Sequence, residues 1–219
     1  MPTDGEPVAP ALRAQLLATE HWGLLAARGL TWSEVMSRIT VHLTVTSASL
    51  VVLALVTQAS GFGTAFQVLS IGLTAVILVL GTLTALRVHN ASVDDAAMII
   101  GMNRIRAGYL DLDPGLADYL VADWHDDLAG VIRTYTLGAP RTLRSHVVGS
   151  TSMYMTVVNA IVAGTLGALI ADAARGATAV VVVVGVLAGL ADLALTIGVA
   201  RRSFSRTPIE PRFPTPPAD

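Results

Sequence analysis

The chain contains no cysteine and no lysine. Without cysteine there is no disulfide framework, no thiol nucleophile and no thiolate metal site. Without lysine, all 14 basic residues are arginine, a bias that fits a GC-rich bacterial genome better than any physical demand. Charge of either sign is scarce: 14% of the 219 residues are charged, against about 25% in an ordinary soluble domain. The net charge of −2 gives no sign of nucleic-acid binding. P-loop, Rossmann, HExxH and GxSxG patterns are missing, as are paired catalytic carboxylates in a plausible pocket. No internal repeat is found. The first 39 residues lack the basic-then-apolar pattern of a cleavable signal, so the first apolar run is expected to act as an uncleaved anchor.

What is abundant is apolar sequence. Hydrophobic residues make up 53% of the chain and the mean hydropathy is +0.64. They concentrate in four runs, at 40–59, 65–86, 153–171 and 177–200. A bilayer core of about 30 Å needs about 20 apolar residues in a helix, and helices satisfy their own backbone polar groups in lipid. The expected fold class is therefore all-α, a membrane protein with four transmembrane helices. The expected divisions are an N-terminal lead and helix (1–39), a first transmembrane hairpin (40–86), a helical segment (87–151), a second hairpin (152–200) and a disordered, proline-rich tail (201–219).

The arginines set the expected orientation. The short links 60-SGFGT-64 and 172-DAARG-176 hold one of the 14, Arg175. All the others lie in the N-terminal, central and C-terminal segments, which by the positive-inside rule places both termini and segment 87–151 in the cytoplasm.

Along the chain, Pro10 and Gly29 bracket a helix over 10–28, read either as a membrane-surface helix or as packed on the central segment. The capping box 31-TWSE-34 then starts the long helix of the first span. Met98, Ile99, Met102, Ile105 and Tyr109 recur at helical spacing and carry the second span's helix onward. Asp113-Pro114 opens another helix, which Gly138 and Pro140 end.

One charged residue, Asp192, interrupts the fourth run within 185-GVLAGLADLAL-195. On a helical wheel it shares an arc with Gly185 and Gly189, a GxxxG pair that admits close helix approach. The third run offers a matching face of Thr156, Ala160, Ala163, Gly164 and Gly167. Comparable stripes are Thr40, Thr44, Ser47, Ala54 and Gln58 on the first run and Gln67, Ser70, Thr74, Gly81 and Ala85 on the second. Matching depths give an expected intramembrane polar cluster of Asp192, Asn159, Ser47 and Thr46, with helix packing through Gly185, Gly189, Gly164 and Gly167. His42 lies nearer the surface, close enough to relay a proton through water but too far to touch. Asp192 reads as interhelical glue, as a group that binds, passes or gates a cation or proton, or as a contact with its own symmetry mate at a subunit interface, because intramembrane carboxylates are costly.

The acidic stretch 123-DWHDD-127 reads as a solvated face and not as a metal site, since on a helix only Asp123 and Asp127 would share a side. Arg104 and Arg106 are expected to pair with Asp111 and Asp113, and Arg141 and Arg144 to meet anionic headgroups. The blocks 102-MNRIRAGYLDLDPGLADYL-120 and 124-WHDD-127 resemble a type found in actinobacterial integral membrane proteins. The resemblance covers about a quarter of the chain and implies the source class and the four-span layout, with no activity.

The expectation is a non-enzymatic protein of the bacterial cytoplasmic (inner) membrane, structural or regulatory, forming a homo-oligomer through its GxxxG face. It would have the lipid bilayer as its surroundings and no cofactor, metal or nucleic-acid partner. The alternative is a small ion channel or proton-coupled transporter using Asp192.

Overall fold

A computed structural model describes residues 9–137, 143–204 and 210–216. Every regular element among them is helical: α1 (Pro10–Ser60), α2 (Thr64–Leu112), a short 3-10 helix (Pro114–Tyr119), α3 (Leu128–Thr136), α4 (Leu143–Val148), α5 (Thr151–Ala173) and α6 (Thr178–Phe204). Four of these, α1, α2, α5 and α6, are long and apolar enough to cross a membrane. The chain is built as a multi-pass membrane protein.

The chain divides into two compact units. Unit 1 comprises Met1–Trp32, Val93–Ser145 and Pro208–Asp219, and unit 2 comprises Ser33–Ser92 and His146–Thr207. Both α1 and α2 contribute residues to each.

Within unit 1, leucines of α1 enter notches that glycines leave on α2. Leu24 lies over Gly101 and Leu17 over Gly108, so that a Cβ at either glycine would press the leucine at 3.0 or 3.2 Å. The seven-residue spacing on both helices repeats the contact two turns along. A small apolar core of Ile99, Met102 and Val131 is joined by Leu24, Ile100 and Tyr135. Residues 10–28 thus pack on the central segment, the second of the two alternatives read from the sequence.

Two helix boundaries differ from expectation. No break occurs at Gly29–Thr31, and α1 continues through both. A helical glycine costs only about 1 kcal/mol relative to alanine, and continuity aligns Arg28 and Trp32, one turn apart, on a shared partner described below. In the other case, the helix expected from Asp113 to Gly138 is interrupted. Asp113 caps the 3-10 helix by accepting from the Gly115 N–H at 2.9 Å, with Pro114 at its first turn. The chain is then irregular until Asp127 caps α3. Helix α3 ends at Leu137, whose φ of +48° is left-handed; Gly138 and Pro140 lie outside the described residues.

Within unit 2, α5 and α6 pack along their small residues. A Cβ at Gly164 would stand 2.9 Å from the Gly185 carbonyl oxygen, and one at Gly189 would stand 2.9 Å from that of Ala160. At Gly167 it would meet the Ala188 methyl at 2.8 Å. The two backbones touch, which only glycine permits. The GxxxG face is therefore occupied by α5 of the same chain and is not free for a second copy.

Candidate functional site

The intramembrane cluster forms around Asn159, which is 2% exposed. Its Nδ2 donates to Thr82 Oγ1 on α2 at 3.1 Å and to both oxygens of Asp192 on α6 at 3.3 and 3.4 Å. Serine, threonine and asparagine are tolerated among apolar spans because each can find a partner on its own helix or a neighbouring one. Thr82 also donates to the Leu78 carbonyl one turn back at 2.8 Å. Its oxygen therefore has a donor and an acceptor satisfied at once.

His42, 1% exposed, belongs to this centre. A Cβ at Gly81 would collide with Asn159 Oδ1 and stand 3.0 Å from His42 Cε1. Gly81 is thus the place where side chains from α1 and α5 approach the α2 backbone. Neither ring nitrogen of His42 has a hydrogen-bond partner, and neither does Asn159 Oδ1.

The structure brings Asp192 and Asn159 together, as well as the four glycines, but not Ser47 and Thr46. Ser47 is exposed, and Thr46 donates to the His42 carbonyl on its own helix at 2.8 Å. The expected first-span stripe faces outward: Thr40, Thr44, Ala54 and Gln58 are exposed, with Val35, Ile39, His42 and Ser49 buried instead. The reason is that a threonine hydroxyl is satisfied by its own helix. Thr40 donates to Met36 and Thr44 to Thr40, at 2.9 and 2.8 Å, so neither needs an interior partner. On α2 the stripe does turn inward, with Ser70, Thr74, Gly81 and Ala85 buried. Thr82 and His42 are the cluster members that sequence reading left out. A single histidine amid the aliphatic residues at the start of the first run was the available signal.

Unit 1 carries two polar hubs of its own. In the first, Asp95 is 1% exposed and takes four donor contacts. Arg28 Nε donates at 2.6 Å with its Nη2 at 3.4 Å, Trp32 Nε1 at 2.8 Å and the Tyr135 hydroxyl at 2.6 Å. Burial, and then the adjacent Asp95 carboxylate, push the Tyr135 phenol well above its ordinary value. This hub was legible only in part: Asp95 falls at i, i+4 and i+7 with Ile99 and Met102, an inward-facing carboxylate in an apolar pattern.

The second hub is built from 123-DWHDD-127, and here the structure corrects the solvated-face reading. The stretch is not helical, so its side chains are free to turn inward. Asp126 is 2% exposed and bonds Arg104 Nε at 2.6 Å. Asp123 receives the His125 ring at 2.5 Å and Arg133 at 3.2 Å. Asn103, fully buried, donates to the His125 carbonyl at 2.7 Å while its Oδ1 accepts from Arg106 at 2.6 Å and Thr134 at 3.0 Å. Arg104 and Arg106 thus use partners other than Asp111 and Asp113. Asp111 pairs with Arg13 at 3.3 Å on the surface. Among the described residues no group of three or more His, Asp or Glu is arranged to hold a metal ion. Arg141 and the side chain of Arg144 lie outside the described residues.

The described parts of the tail, 201–204 and 210–216, are ordered where disorder was expected; residues 205–209 and 217–219 lie outside the described residues. Helix α6 runs on to Phe204, and residues 210–216 lie along the second hub. The Arg212 and Phe213 N–H groups donate to Asp126 at 2.9 and 2.7 Å, and Asp126 N–H returns a bond to the Phe213 carbonyl at 3.1 Å. Thr215 bonds Asp127 through both its N–H and its hydroxyl, at 2.8 and 3.0 Å. Proline removes donors from a strand but not the N–H groups of the residues between prolines, and those are the groups that dock.

Burial pushes the Asp126 carboxyl up, but the N–H of Arg212, the Arg104 guanidinium and the N–H of Phe213 outweigh it and hold it below the usual carboxylate value. A group with a lowered folded value contributes stability that is full above the ordinary value of 3.8 and is lost as pH falls through the lowered one. The tail is therefore expected to stay docked at neutral pH and to release only below about pH 4. Hydrogen exchange at the Arg212 and Phe213 amides checks this: protection should vanish in acid, and at pH 7 in Asp126→Asn. Protection that survives both would show that Asp126 does not hold the tail.

Comparison of the chain with protein-family models, with curated proteins and with solved structures gives no match.

Proposed function

We propose that this is a non-enzymatic, structural or regulatory protein of the bacterial cytoplasmic membrane, homo-oligomeric, with both termini and the segment between its second and third spans in the cytoplasm. One observation carries the reading. The buried carboxylates of unit 1 are engaged in architecture: Asp95 with Arg28, Trp32 and Tyr135, and Asp126 with Arg104 and the tail amides. A catalytic acid or base needs a proton it can exchange with a substrate, whereas these groups are saturated by donors from their own chain. Orientation is supported by the arginine asymmetry. Oligomer contacts would use a face other than the glycine seam already filled by α5 and α6.

A second reading, a channel or proton-coupled transporter, is favoured by the contact of Asp192 with Asn159 inside the spans. Proton or cation flux into proteoliposomes separates the two. The regulatory reading expects none above empty vesicles, and flux abolished by Asp192→Asn would replace it with the transporter. Because the chain has no cysteine, single introduced thiols report topology cleanly. Cysteines at Gly63 and Ala174 are expected to react with impermeant reagents from outside intact cells, and one at Ala122 to remain unlabelled. Labelling at Ala122 would invert the orientation.

A further inference from the structure

We propose that α1 carries the interface between copies of this chain: two α1 helices pair in parallel along an exposed face that runs from Leu12 to Gln58. The proposal rests on the homo-oligomeric reading above and gives it a surface.

The face follows alternating steps of four and three residues. Starting at Leu12, the steps pass through Leu16 and Leu30, then Thr40, Thr44 and Ser47, and end at Gln58. Every residue on which they land is exposed. The opposite side of α1 has the same repeat and the opposite fate. From Arg28 to Val56, through Val35, Ile39 and His42, none of its residues is exposed. Helix α1 thus gives one face to its own chain and turns a second, equally regular face away from it. A repeat of about 3.5 residues, sustained over several heptads, is the mark of helices wound around one another. Lipid imposes no such period.

The makeup of the face points the same way. Helix α6 shows what this chain sets against lipid: Val182, Val183, Val186, Leu187 and Leu190 are exposed, and all are aliphatic. On α1 the exposed aliphatic residues Val41, Leu43, Leu50 and Leu55 flank the face, while the small residues Thr40, Thr44, Ser47 and Ala54 make its middle. Small residues let backbones approach, which is how helices associate in membranes. The Thr40 and Thr44 hydroxyls already donate to their own helix, so pairing strands neither donor. Before the span the face changes to leucine: Leu12, Leu16 and Leu30 are 50, 58 and 73% exposed. There, removal of apolar surface from water drives the contact.

A second copy is the occupant that fits. A chain inserted in one orientation presents α1 to its neighbours in the same direction and at the same depth. Two such faces meet in register, each residue opposite its own counterpart. At about 1.5 Å per residue, the contact from Leu12 to Gln58 is about 70 Å long and one helix, about 10 Å, wide. That is about 700 Å² on each copy and about 1,400 Å² in all, within the range of about 1,200–2,000 Å² for stable interfaces. Glu34, the carboxylate beside the face, is already paired with Arg38 and Arg87, so it brings no unpaired charge to the contact.

The test uses the full chain in phospholipid vesicles with single introduced thiols, in a sequence that has no cysteine of its own. Under mild oxidation, Thr44→Cys, Ser47→Cys and Ala54→Cys are expected to give disulfide-linked dimers, because each meets its counterpart across a parallel pair. Val52→Cys, exposed but about a quarter-turn off the face, and Leu187→Cys on α6 are expected to stay unlinked. Ser47→Leu should weaken dimerisation at least about tenfold, since the larger side chain holds the backbones apart, while the helical content of the chain is unchanged. Equal cross-linking on and off the face, none on it, or an undiminished dimer in Ser47→Leu overturns the α1 interface. Single-molecule photobleaching of the wild-type chain separates the two failures. Copies that still associate leave the homo-oligomeric reading standing with another interface, whereas single-step bleaching throughout removes that reading as well.

Discussion

Asp95→Leu is expected to destabilise unit 1 by about 3 kcal/mol, the lower end of the range for stripping one partner from a buried ion pair. The lower end applies because the Arg28 side chain, 34% exposed, keeps some contact with water, while Asp95 itself is nearly fully buried. Arg28, Trp32 and Tyr135 each lose an acceptor at once, and leucine offers none in return. Asp111→Leu is the matched control. It removes a carboxylate from the same unit and breaks an ion pair with Arg13, but both side chains there are about half exposed, and such pairs contribute about 0–1 kcal/mol. Chemical denaturation in detergent, followed by the near-ultraviolet signal of Trp32 and its neighbours, compares the two. Equal losses in both variants would show that the Asp95 hub does not hold unit 1 together.

How much of this was legible beforehand depends on the kind of interaction. The four spans are written in composition, because a bilayer demands about 20 consecutive apolar residues and the chain supplies them four times. The glycine seam was legible too, since close approach has a sequence signature in small residues four apart. The partner of Asp192 followed from matching depths in antiparallel spans. What failed was the assumption that every polar stripe faces inward. Thr40 and Thr44 sit in the first span with hydroxyls bonded to their own helix, and nothing in a wheel distinguishes them from Ser70 and Thr74, which are buried. The 123–127 hub was hidden for a different reason: a periodicity argument presumes a helix, and this stretch is not one. The docking of 210–216 joins residues more than 80 positions apart through main-chain N–H groups, which every non-proline residue owns and which leave no trace in residue type.

The seam between α5 and α6 gives the other large effect. Gly164→Leu is expected to lower the stability of unit 2 by about 1–3 kcal/mol or more, the range for overpacking a filled interior. Even the first carbon of the new side chain would stand 2.9 Å from the Gly185 carbonyl oxygen, and backbone, unlike a flexible side chain, cannot swing away. Gly189→Ala should follow in the same direction, since its Cβ meets the Ala160 carbonyl oxygen at 2.9 Å. Gly72→Leu is the control, because nothing lies within 4 Å of its Cβ and leucine suits a lipid-facing position. Thermal unfolding in detergent should fall for the first two and hold for the third. The damage should also reach the polar centre. The Asn159–Asp192 bonds, at 3.3 and 3.4 Å, are near the limit of hydrogen-bond length, so pushing the two helices apart by even half an ångström breaks them. Gly164→Leu and Asp192→Leu should therefore be less than additive, because the first has already removed the contact that the second deletes. Full additivity would mean that the seam and the polar centre are independent, and that Asp192 is held by something other than the closeness of α5 to α6.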